Sequence, residues 1–122
     1  MPNPLRIRDR YMRDSLPVRI GGIAANLSRI RSFSQDFDSC ETVSDLIGET
    51  KCFIDWIKPD PTMTSDASSA LTELAEDLDR WENTCRAAWS TEHNRLAISR
   101  EAGEWAQHVL QLSGLQNRAR PA

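Results

Sequence analysis

Residues 71 to 89 read LTELAEDLDRWENTCRAAW, and their spacing sets the architecture of the whole chain. Leu71, Leu74, Leu78, Trp81, Cys85 and Ala88 advance by three and four residues in alternation, the seam of a helix buried along one side. Ala75 and Trp89 widen the seam, while Glu73, Glu76, Asp77, Asp79, Arg80 and Glu82 fill the opposite face. One amphipathic helix cannot bury its own stripe, so other segments of the chain must supply matching surfaces.

Three further segments repeat the pattern. Ile20, Ile23, Leu27 and Ile30 predict a helix that Pro17 opens and that runs to about Ser34, with Phe33 and Phe37 prolonging the stripe. Asp14 or Ser15 caps it. Gly21, Ala25 and Ser28 form a smooth strip on it, suited to close approach of a neighbouring helix, to a hinge or to self-association. Val43, Leu46, Ile47, Thr50, Phe53, Ile54 and Ile57 predict another helix, begun by a capping box at Asp38/Glu41 or Thr42/Asp45 and ended by Lys58-Pro59. Residues 59 to 66, PDPTMTSD, form the clearest linker, with Ser65 or Asp66 starting the next helix.

Beyond Trp89 the register fails across Ser90 to Asn94, then resumes with Ile98, Ala102, Trp105, Val109 and Leu112. A turn at residues 90 to 94 is expected rather than one rod from residue 67 to 113, because a rod of that length needs coiled-coil pairing throughout. Gly114 caps the last helix, and residues 116 to 122 read as a loose basic tail. Asn3-Pro4 opens a short basic helix to about Arg13. The expected fold is therefore all-α: one domain, residues 1 to 122, an antiparallel up-and-down four-helix bundle with a short extra N-terminal helix.

Charge is unevenly placed. Residues 1 to 35 hold seven arginines against Asp9 and Asp14, whereas the remaining 87 residues hold eight basic and sixteen acidic side chains. Arg6, Arg10 and Arg13 form a cationic helix face. It is expected to pair with acidic helices of this chain or with a partner protein. A nucleic-acid interface is the alternative, and the net charge of −3 weighs against it.

No run of apolar residues approaches the ~20 needed to span a bilayer, and no secretory signal is evident at the N-terminus. Cys40, Cys52 and Cys85 are too widely spaced for a zinc site and odd in number, as expected of reduced thiols in the cytoplasm.

Catalytic signatures are missing from the sequence. A di-iron bundle needs Glu-x-x-His on two helices, and neither His93 nor His108 has a glutamate three residues before it. Glu101, Glu104 and His108 share one helix face without a second histidine-bearing helix. Cys85 lies on the seam, Cys52 flanks Phe53, and no glycine-rich phosphate loop occurs. No catalytic residue, cofactor or metal is expected. The sequence instead predicts a small non-enzymatic interaction or regulatory module that pairs with a protein partner, or with itself as a homodimer, through Arg6, Arg10, Arg13, Gly21, Ala25, Trp56 and Trp89.

Overall fold

The computed structural model describes residues 4 to 114, which form an all-helical structure with no strand. Its elements are α1 (Pro4–Arg13), α2 (Leu16–Phe33), a 3-10 turn (Phe37–Ser39), α3 (Cys40–Ile57), α4 (Ser65–Ala87) and α5 (Glu92–Ser113). The expected Asn3 cap and the tail at 116 to 122 lie outside the described residues.

Local chemistry accounts for most of the ends. Pro17 sits in the first turn of α2 behind Ser15, where its missing amide costs nothing. Thr64 caps α4, its hydroxyl accepting from the Ala67 amide at 3.1 Å, one residue before the predicted start. Gly114 closes α5 in the left-handed region at φ 74°. Neither capping box predicted for α3 forms. Asp36 acts instead: its carboxylate accepts from the Asp38 amide and the Ser39 hydroxyl, both at 3.1 Å, and the 3-10 turn leads into α3.

The helix is interrupted between α4 and α5, so residues 67 to 113 are not one rod, though the break lies at residues 88 to 91 rather than 90 to 94. Trp89 accounts for the shift. Its ring is buried, and its indole N–H donates to the Phe37 carbonyl at 2.7 Å. Arg95 and Asn94 then donate to the carbonyls of Trp89 and Ala88 at 2.9 and 3.3 Å. The turn is thus built around Trp89 and held from both sides.

The stripes read from the sequence meet in one core. Ile23, Leu27 and Ile30 of α2, Val43, Ile47, Ile54 and Ile57 of α3, Leu71, Leu74, Leu78 and Trp81 of α4, and Val109 of α5 have almost no solvent exposure. The extension of the α2 stripe is corrected: Phe33 and Phe37 are 41% and 57% exposed, because the position after Ile30 on the buried side is Ser34, which leaves Phe33 beside the stripe, and the chain has left the helix before Phe37.

Helix α2 packs against α3 and α5, and α3 packs against α4. Polar side chains join α4 to α5: Trp105 donates to Asp77 at 2.7 Å, and Arg80 to Glu101 at 2.6 Å. Between α3 and α4, Lys51 pairs with Asp79 at 2.5 Å.

Candidate interaction surface

Helix α1 alternates an anchoring face with a charged one. On the anchoring side Tyr11 is buried, and Ile7 and Met12 pack against the core. The Tyr11 ring stacks on Phe53 of α3 with centroids 4.1 Å apart, and Trp56 tilts against both rings. The backbone of α2 leaves room at Gly22, where a Cβ would lie 3.4 Å from the Tyr11 ring. The Tyr11 hydroxyl donates to the Arg19 carbonyl at 2.6 Å. Burial pushes this phenol well above its ordinary range, so it stays a donor at any physiological pH.

The opposite side carries Arg6, Arg10 and Arg13; these three and Arg8 are exposed. Arg6, Arg10 and Arg13 follow one another at four and three residues, so they line one face. None of the four enters an ion pair among the described residues. The internal pairing expected of the basic segment is made by Arg19 alone. Its guanidinium is buried, donates to Asp60 at 2.7 Å and to the Asp14 carbonyl at 3.1 Å, and so ties α2 to the α3–α4 connection. Asp60 is held down at about 2, first by the Thr62 hydroxyl and amide and then by Arg19.

The remaining residues singled out by sequence fall elsewhere. Trp56 is half-buried beneath α1 and joins its anchor. Gly21 and Ala25 line an open groove of about 280 Å³ between α2 and α5 with Ser28, Gly103 and Ala106. On its α5 side, a Cβ at Gly103 would come within 3.0 Å of the Arg31 side chain, so glycine admits that arginine's stem. Trp89 is only 7% exposed and belongs to the core, not to a surface.

Groups with possible chemistry are already engaged. Glu101 accepts from Arg80 and from the Trp81 indole, and Glu104 lies near Arg100. Burial works against the ionised Glu101, but the Arg80 and Trp81 bonds outweigh it and lower its pKa. His108 stacks on Trp105 with centroids 5.5 Å apart. No cluster of three or more histidine, cysteine, aspartate or glutamate side chains placed to hold a metal ion occurs among the described residues. The three cysteines are free, and burial raises the Cys85 thiol to about 11.

Sequence reasoning missed one further feature. Arg95 is 8% exposed, and its Nε has no hydrogen-bond partner. The Phe37 ring covers its guanidinium at 5.4 Å. Counting Phe37 into the α2 stripe hid the ring. The signal available was its setting, Asp36-Phe37-Asp38, which is turn composition rather than helix.

No protein-family model, curated protein or solved structure matches the chain. No helix among the described residues is long and apolar enough to cross a membrane.

Proposed function

We propose that the chain is a small, non-enzymatic interaction module of the cytoplasm, whose α1 arginine face docks on an acidic protein partner and which also associates with itself as a homodimer. The observation that carries this reading is the exposed face Arg6, Arg10 and Arg13, unpaired among the described residues of a chain with surplus carboxylates. An unpaired cationic face on a helix fixed by aromatic stacking is preorganised for a partner's carboxylates, since arginine forks match them in pairs. Three free thiols suit a reducing compartment. Behind the face, the four long helices are proposed to form an antiparallel up-and-down bundle. The order of their contacts supports it: Asp77 meets Trp105 while Arg80 meets Glu101, and Asn26 meets Glu49 while Arg19 meets Asp60.

The test uses the full chain against two polyanions, polyglutamate and a short DNA duplex, at about 50 mM and about 200 mM salt. Binding of polyglutamate that is lost in the triple variant Arg6→Glu, Arg10→Glu, Arg13→Glu is the expected result. Equal binding by the variant would refute the assignment of the face. Markedly tighter binding to DNA would transfer the face to nucleic acid.

A further inference from the structure

The end of the molecule where α2 finishes and α5 begins carries an uncompensated charge under an exposed apolar cover. Gln35 and Ser99 bridge the two helices there at 3.2 Å. Around this junction Phe33, Phe37 and Leu96 are 41%, 57% and 45% exposed, three of the four large apolar side chains that the described residues leave in water. Beneath the Phe37 ring lies Arg95, more than nine-tenths buried, with no carboxylate partner among the described residues. Its NH1 donates to the Trp89 carbonyl, its Nε is orphaned, and its guanidinium faces the Phe37 ring. The Ser34 hydroxyl, fully buried at the same end, is orphaned as well. Burying a cation without a counter-charge is costly, and buried charges are ordinarily paired.

We propose that this end is where a second copy of the chain docks, supplying the carboxylate that Arg95 lacks. The proposal rests on the homodimer part of the function above and assigns it a face distinct from α1. The same end also displays Asp38 and Glu92, exposed carboxylates that enter no ion pair among the described residues. A face holding both an unpaired cation and unpaired carboxylates is complementary to its own copy about a two-fold axis. Phe33, Phe37 and Leu96 then meet in the centre, and each copy's Asp38 or Glu92 reaches the other's Arg95. Access needs only a side-chain movement. The Phe37 backbone is pinned by the Trp89 indole and by the Asp36-capped turn, whereas its ring stands mostly in solvent and turns aside without moving the chain.

The apolar area offered is on the order of 300 Å² per copy, well below the ~800 Å² of a stable interface, so the dimer is weak and concentration-dependent. Sedimentation of the full chain from about 10 µM to about 1 mM is the test. The expected mass rises from 13.8 kDa toward twice that value, and less so at high salt. Phe37→Asp and Leu96→Glu are expected to abolish the rise, Phe37→Leu to keep it, and Arg95→Met to weaken it at least tenfold and remove its salt dependence. The Phe37 and Leu96 variants keep helical circular dichroism, since both side chains are exposed, and they decide the test without Arg95→Met, which also removes the bond to the Trp89 carbonyl. A monomer at the highest concentration overturns the proposal. So does a dimer that survives Phe37→Asp, or one lost only in the Arg6, Arg10 and Arg13 variant. Polyglutamate binding by α1 is measured separately, so each face fails or stands without the other.

Discussion

Replacing Trp81 with alanine tests the core at its most heavily loaded point. The indole is fully buried on the α4 seam, and its N–H donates to Glu101 at 3.1 Å. A buried tryptophan hides up to about 250 Å². At ~25 cal/mol per Å², losing most of that area gives about 4 kcal/mol, within the range seen for large aromatic truncations. Glu101 adds little to the loss, because Arg80 still donates to it at 2.6 Å. For a chain of this length the corresponding fall in melting temperature is about 12 to 20 °C. Urea unfolding followed by helical circular dichroism reads the effect, with the slope unchanged if only the native state is altered. Trp105→Ala is the control: its ring is half-buried and mainly serves Asp77, so about half the loss is expected. A loss below about 1 kcal/mol for Trp81→Ala, or a larger loss at Trp105, would refute the placement of the seam.

Two further outcomes follow from ionisation. Burial holds the Cys85 thiol at about 11, so at pH 8 a thiol reagent is expected to modify exposed Cys52 rapidly and Cys85 only on unfolding; equal rates for the two would contradict the packing. Asp60 has a folded pKa of about 2 against an ordinary 3.8, so the ionised form favours the fold. Its contribution is complete above the ordinary value and is lost as pH falls through about 2. Asp60→Asn is therefore expected to flatten the acid limb of stability between those values, read as denaturant midpoints at pH 5, 3 and 2; an unaltered limb would show that Asp60 is not the group involved.

The helices were legible because each buries one stripe, and a stripe leaves a period of three and four in the chain. Ile23, Leu27, Leu74 and Leu78 needed nothing more. Ends set by a single side chain contacting a distant backbone were not legible. Trp89 looked like the last residue of a seam, yet its bond to the Phe37 carbonyl, across 52 residues, breaks the helix before it. Asp36 likewise caps through a 3-10 turn that no pairwise capping pattern describes. At the candidate surface, the spacing of Arg6, Arg10 and Arg13 was enough to place them on one face, but their lack of internal partners depended on where the acidic helices lie. Arg95 was invisible for the same reason: a lone arginine in sequence says nothing of whether a carboxylate stands opposite.

The way α1 is fastened bears on how its arginines would respond to stress. A ten-residue helix holds itself together poorly in water. Here its main anchor is Tyr11, seated between Phe53 and the notch at Gly22 with Ile7 and Met12 packed beside it, while the hydrophobic interior is filled chiefly from α2 onward. Heat or mild denaturant should therefore unzip the cationic helix before the remainder gives way. The chain would then pass through a state that keeps its body intact and has lost its positively charged surface.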